Sequence, residues 1–496
     1  MPGRREKLWG ASALLLAGLF AGLHVSTWPV RLRYPGELND TEGMRLVEMQ
    51  HLREGIPIYA PATAERFDAA IYGPLYYLIG SRLIDPDKPA YLPLRLLATL
   101  GTLGCAAASG LLAFQLGRSV LAAALAPLLV LSYGFVSYYG TSSRADSLAL
   151  CLSMAGVVVA YRFRESPRVL LAMPVFLAAF FYKQQFVAAP LAVFAFLVLE
   201  KRFRRAAAFA GLMTVGVLGL LALFQFVVFP GQAFFRHFFF YNLLPFSWTQ
   251  LKGGDIVFAV MFVVPMFVGF EFVRVHRDKY LACYLLAAAI IALLAVGKEG
   301  SGTNYFLESI LILAAPCAAL LAERIAQPAR AIELLVLLAV TIFAGQSLTP
   351  AAPQPDDFAR DRAMQDYLRK NFPPRTCALG YHTGDLVRAD LATPVSDLFQ
   401  YAQLVRAGRL SDQDLAAALE RRQFRVITLA FDLQAGKDQS GLKRSLTERW
   451  AKTVIENYQP AESLPLPGPE RFHADDRFYA WVPRTNAPRD KLRTSE

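Results

Sequence analysis

The sequence predicts an all-α polytopic membrane protein that ends in a small extracytoplasmic α/β domain. Three observations carry that expectation. Hydrophobic residues are 55% of the 496 and charged ones only 18%, and the apolar residues run in long blocks, the pattern of a chain that crosses a bilayer repeatedly. Lys and Arg gather in short clusters between the blocks, at YRFRESPR (161–168), EKRFRR (200–205) and RVHRDK (274–279). After a Pro-rich stretch, TPAAPQPDDF (349–358), the blocks stop and a polar segment begins.

A span needs roughly 20 apolar residues. By that measure the chain divides into about eleven transmembrane helices, at 8–29, 91–115, 119–139, 147–163, 169–182, 186–199, 206–229, 255–273, 280–297, 304–322 and 331–348. The fifth and sixth are short. With the N-terminus inside, the clusters at 4–7, 162–168, 201–205 and 274–279 become cytoplasmic, as do Arg324 and Arg330, which satisfies the positive-inside rule. The formal charge of +11 then reports topology rather than a nucleic-acid partner. No small-residue cleavage site follows the first apolar run, so MPGRREK and the run after it read as an uncleaved anchor. Segments 30–90, 140–146, 183–185, 230–254, 298–303 and everything after 349 fall on the outer face of a plasma membrane. Cys105, Cys151, Cys283 and Cys317 lie in apolar runs and Cys377 is alone in the polar part, so no disulfide is expected there.

The first outer loop, 30–90, holds an amphipathic helix, NDTEGMRLVEMQHLREG (39–55), with Asn39 or Asp40 as cap and Gly55 as stop. A second segment, IYGPLYYLIGSRLI (71–84), is too short to span and carries Tyr residues suited to the headgroup level. Both are expected along the membrane surface. The domain plan is therefore a transmembrane catalytic domain over 1–348, a linker over 349–358, an α/β domain over 359–484 and a disordered tail over 485–496. Within the α/β domain, 359–372 and 411–424 read as helices, the latter capped by Ser411. Segments 375–381, 425–433 and 477–484 read as strands.

Polar groups converge on the outer face. Asp40 and Glu42 open the first loop, SSRADS (142–147) supplies Arg144 and Asp146, and FFYKQQF (180–186) supplies Lys183, Gln184 and Gln185. GKEGSGTNYFLES (297–309) adds Lys298, Asn304, Tyr305 and Glu308. Each has a plainer use: Asp40 as a helix cap, Arg144 and Asp146 as a solvated pair, Lys183 as a loop cation reaching the interface. No clear charge sits at mid-depth of a span, which argues against a transporter or lipid flippase. Two acids with cations at the bilayer edge suit transfer from a lipid phosphate. A carboxylate takes the acceptor's proton and fixed cations stabilise the departing phosphate.

The set resembles the GT-C superfamily of polyprenyl-phosphate-sugar glycosyltransferases, in the branch of bacterial protein mannosyltransferases and aminoarabinose lipid A transferases. NDTEG (39–43) is similar to that family's acidic motif after span one, RADSLAL (144–150) to the acidic motif opening span four, YGPLYY (72–77) to its Pro-Leu-Tyr segment and NYFLE (304–308) to a late motif. The resemblance covers the chain to about residue 348. It implies Asp40 as general base, with Asp146 and Glu42 as further catalytic acids orienting sugar or acceptor. The basic residue that some members carry before the Pro-Leu-Tyr segment is absent, since Tyr72 and Gly73 stand there. Contact with the lipid phosphate is therefore assigned to Lys183 and Arg144, with Gln184, Glu308, Asn304 and Tyr305 as further candidates. The implied partners are a polyprenyl-phosphate sugar, a glycan, lipid or protein acceptor, and the bilayer. No cofactor is required; a divalent metal is compatible with the hard oxygens of Asp40, Glu42 and Asp146. A polysaccharide polymerase or ligase is the nearest alternative, but it would rely on a large Arg-rich late loop, whereas here the sizeable loop is the first and is led by acids.

Overall fold

The computed structural model describes residues 4–63, 66–346, 349–434, 445–465 and 477–484; the expected disordered tail lies outside them. The chain forms two compact units. One comprises Met1–Tyr34, Ile71–Ile84 and Tyr91–Pro353, the other Pro35–Ala70, Asp85–Ala90 and Gln354–Glu496.

The first unit is helical. Seven helices among the described residues are long and apolar enough to cross a membrane: Glu6–Arg33, Leu92–Gly117, Asp146–Phe163, Phe203–Val228, Ala259–His276, Lys279–Val296 and Thr303–Arg324. Val120–Leu131 and Gly134–Gly140 would make an eighth crossing, bent by 72°. Pro167–Tyr182 and Ala188–Leu199 are shorter apolar helices, and Pro328–Gln346 covers the last expected position. A helix thus stands at each of the eleven places, while seven or eight meet the length and composition of a full crossing. Local signals set the ends. The Ser119 and Ser247 hydroxyls accept from Ala122 and Gln250 N–H, and the Asp278 carboxylate from Leu281 N–H, satisfying donors the first turn leaves open. The helix Leu307–Arg324 is apolar all round, ILILAAPCAALL at its centre, and is buried nearly throughout, as such a helix must be.

The second unit holds a sheet of β1 (Ala378–Gly380), β2 (Val426–Leu429), β3 (Tyr458–Pro465) and β4 (Arg477–Pro483). Their order is β1-β2-β4-β3, with β1 and β2 parallel and the other pairs antiparallel. β1 and β2 are buried at every position, which is why they read as continuous apolar runs. Met364, Leu368, Leu386, Val426, Phe478 and Ala480 fill the core beside them. The helix expected over 359–372 runs Pro355–Asn371 behind a capping box of Gln354 and Asp357. The one expected from Ser411 is Gln413–Glu420, with Ser411 Oγ accepting from Gln413 N–H. β3 and the helices Thr383–Arg388, Leu398–Arg406 and Glu448–Asn457 were not anticipated.

The segment 35–70 belongs to the second unit, where the helix Asp40–Arg53 has nine of its 14 residues buried. The burial is possible because its charges are paired. Arg45 donates to Glu48 at 2.5 Å and to Asp397 at 2.8 Å, and Glu48 accepts from Ala70 N–H and Ser396 Oγ. Gly55, at φ 78°, ends the helix in the left-handed region. Residues 71–84 stay with the first unit, where Pro74–Leu83 is a helix.

Candidate functional site

In the first unit, the sequence elements that carry the late polar residues meet around Asp146. This residue opens the helix Asp146–Phe163, where the positive end of the helix dipole favours a carboxylate. It is completely buried. Lys183 Nζ donates to its Oδ1 at 2.5 Å and Asn304 Nδ2 to the same atom at 2.8 Å. Arg144 Nε donates to Oδ2 at 3.2 Å. Lys183, at the end of an apolar helix, is only 4% exposed. An ammonium at the end of an apolar helix is costly unless a counter-ion meets it, and Asp146 does.

Arg144, Lys183, Gln184, Gln185, Asn304 and Tyr305 line a cavity of about 150 Å³, together with Ile71, Tyr72, Asn242, Lys298 and Gly300. Lys183 Nζ also lies 4.9 Å from the centre of the Tyr72 ring and Lys298 Nζ 5.9 Å from that of Tyr305, close enough for cation–π attraction. Tyr72 can sit there because Gly73 follows: a Cβ on Gly73 would be 2.1 Å from the Phe181 carbonyl oxygen. The position that lacks the family's basic residue therefore contributes an aromatic face beside Lys183. Gln184 Nε2 and Asn242 Nδ2 each donate to both the Ile71 and Phe238 carbonyls, which fixes the rim. Gln184 Oε1, Gln185 Oε1 and Asn304 Oδ1 are enclosed without a donor. Sequence reasoning did not single out Asn242 or the Tyr72 ring; the one signal was a polar Asn closing the aromatic run FFRHFFFYN (234–242). Glu308 is not in this wall. It accepts from Tyr284 at 2.8 Å within its own helix bundle.

Asp40 and Glu42 belong to the second unit. Asn39 takes the N-cap position and Asp40 is the first helical residue, so Asp40 is not spent on capping. Its Oδ2 accepts from the Tyr381 hydroxyl at 3.0 Å and its Oδ1 from Thr41 Oγ1 at 3.2 Å. Glu42 is wholly buried and its Oε2 accepts from Leu38 N–H at 2.7 Å, so this carboxylate braces its own loop. Glu37 stands three residues before Asp40 in the same unit. Its Oε1 accepts from Gly384 N–H at 2.9 Å and its Oε2 faces His382 Nδ1 at 3.1 Å. Gly43 makes room, since a Cβ there would be 1.9 Å from Glu37 Oε1.

Among the described residues, the donors spaced for a metal ion are Glu37, His382 and Asp385, all within 4.8 Å of one another. They do not include Asp40, Glu42 or Asp146; the last is already met by two cations. Burial is the largest single influence on His382 and opposes its charge, but the Glu37 hydrogen bond and the charges of Glu37, Asp385 and Asp40 together outweigh it and hold the imidazole up at about 9. Burial, with Glu37 beside it, pushes Asp385 up to about 8, and burial raises Glu37 as well. The three groups thus favour either shared protons or a cation.

No family model and no curated protein matches the sequence. Solved structures do. The chain superposes on ArnT from Cupriavidus metallidurans in the apo state with a TM-score of 0.56 at 12% identity, over 94% of this chain and 97% of that one. For ArnT bound to undecaprenyl phosphate the values are 0.54 and 12%, over 95% and 98%. The apo oligosaccharyltransferase of Archaeoglobus fulgidus gives 0.50 and 12%, over 92% of this chain and 73% of that one. The chain therefore has the GT-C fold, the fold of the superfamily that its short motifs resemble.

Proposed function

We propose that the protein is an inverting glycosyltransferase of the plasma membrane. It would move a hexosyl or pentosyl group from a polyprenyl-phosphate donor to a glycan, lipid or protein acceptor on the outer face. The observation that carries the reading is the cavity beside Asp146: Arg144, Lys183 and Lys298 face one space, and one carboxylate, Asp146, is paired with two of them. The remaining positive charge suits a lipid phosphate. A phosphodiester-linked donor gains negative charge on its phosphate as the sugar leaves, so fixed cations favour the leaving group over the bound donor. Gln184, Gln185 and Asn304 supply enclosed amide oxygens without donors, a match for sugar hydroxyls. A solved neighbour of the same fold is ArnT with undecaprenyl phosphate bound, which supports this class of lipid.

In this reading Asp40 takes the proton from the acceptor as the new bond to the anomeric carbon forms and the bond to the phosphate oxygen breaks. Lys183 and Arg144 hold the phosphate. An Asp40→Asn variant tests the assignment. Asn keeps an oxygen for the Tyr381 hydroxyl, and Asn39 already holds the cap position, so folding should persist. Turnover of a labelled polyprenyl-phosphate sugar should fall about 10²–10⁴-fold. Near-normal turnover would remove Asp40 as base.

A further inference from the structure

The C-terminal half of the second unit does more with the acidic loop than pack against it. Two consecutive residues at the end of β1 each take one of its carboxylates. Tyr381 donates its hydroxyl to Asp40 Oδ2 at 3.0 Å, and His382 Nδ1 faces Glu37 Oε2 at 3.1 Å. Two residues on, Gly384 N–H reaches the other oxygen of Glu37 at 2.9 Å. These contacts join positions more than 340 apart in sequence, and all lie within one compact unit.

Tyr381 is itself firmly placed. Its N–H bonds the Thr428 carbonyl at 3.1 Å, continuing the pairing of β1 with β2. Its ring is part of the core with Met364, Leu368 and Leu386 and stands edge-on to His382 with centroids 5.1 Å apart. The phenolic oxygen is therefore carried by a strand end and a packed ring, and it meets Asp40 at the first residue of the helix Asp40–Arg53. The Thr41 hydroxyl holds Oδ1 from the neighbouring residue. With one donor on each oxygen, rotation of the Asp40 carboxylate about its χ2 is restrained, and its remaining lone pairs have a fixed direction.

We infer that Tyr381 is the positioning residue for Asp40, so that the extracytoplasmic α/β domain is part of the catalytic apparatus and not only a surface for choosing acceptors. The inference rests on the reading of Asp40 as general base. A base works only when its lone pair meets the proton in line, and a small misplacement is enough to lose much of the rate. Tyr381 touches neither donor nor acceptor in this account; it acts through Asp40.

The test uses the full chain in detergent or proteoliposomes with a labelled polyprenyl-phosphate sugar. Tyr381→Phe keeps the buried ring and removes the hydroxyl. The expected result is a kcat lowered about 10–100-fold, the worth of a hydrogen bond to a charged group, with the KM for donor and for acceptor unchanged and thermal unfolding close to wild type. In the Asp40→Asn background the same substitution should add no further loss, which a merely structural role would not produce. Tyr381→Met serves as a second variant should Phe fold poorly. Equal losses from Tyr381→Phe with and without Asp40, or a kcat unchanged by it, would overturn the inference. If instead Asp40→Asn retains turnover, the base assignment fails; if Asp40→Asn loses turnover and Tyr381→Phe does not, only the positioning role fails.

Discussion

Lys183 shows how much a single residue's meaning depends on its partner. In the sequence it is a cation interrupting about 30 apolar residues, assigned to the lipid phosphate with a plain loop cation as the alternative use. Buried against Asp146 at 2.5 Å, it becomes half of a charge pair that neither member can leave cheaply. Lys183→Gln strands the Asp146 carboxylate with Arg144 and Asn304 alone, and breaking such a buried pair should destabilise the protein by about 3 kcal/mol. Adding Asp146→Asn should restore part of that, because both charges of the pair are then gone, while Arg144 loses the Asp146 carboxylate. Thermal unfolding of the two single variants and the double variant checks this. Strict additivity would mean that the pair is not coupled. Where Lys183→Gln folds, donor use should weaken while dependence on acceptor stays near wild type. The residue names at this site were legible, since Arg144, Asp146, Lys183 and Asn304 all stand at the ends of apolar runs. Their burial was not, because it depends on three segments meeting, which no local pattern encodes.

At the scale of elements, the helix Asp40–Arg53 was readable as a helix, but its burial within the second unit was not. Its apolar positions fit either a membrane or a protein core, and the deciding groups, Arg45 and Glu48, look solvent-facing until Asp397 is found 352 residues away. The segment after it adds a pH-sensitive tie. Burial alone would raise the Asp68 carboxyl, but His51 at 2.9 Å and Arg66 outweigh it and hold the group below its ordinary value of 3.8. A carboxyl depressed on folding contributes stability above its unfolded value and loses it as pH falls through the folded one. Between about pH 5 and pH 3 the wild type should therefore lose unfolding temperature more steeply than Asp68→Asn. Parallel curves for the two proteins over that interval would contradict the pairing. The strands β1, β2 and β4 were legible as apolar runs, whereas β3, with Gln459, Glu462 and two prolines, carries no alternation to detect and exists through its pairing with β4.

For the whole molecule, the second unit resumes at Gln354, inside the Pro-rich stretch 349–358. The sequence did not reveal that 35–70 and 85–90 leave the helical unit and fold with the C-terminal segment. Loop composition is silent on where a loop packs. The likeness to ArnT at 12% identity makes the same point at the largest scale, for the GT-C fold persists here on spaced apolar runs and a few polar signatures. The proposed function is transfer of a sugar from a lipid phosphate, not transport of the lipid. The most direct measurement is the release of free polyprenyl phosphate from a labelled polyprenyl-phosphate sugar by purified protein with an acceptor extract. Stoichiometric polyprenyl phosphate and glycosylated acceptor are predicted, both lost in Asp146→Asn. Lipid moved between leaflets with its sugar still attached, and no polyprenyl phosphate formed, would contradict it.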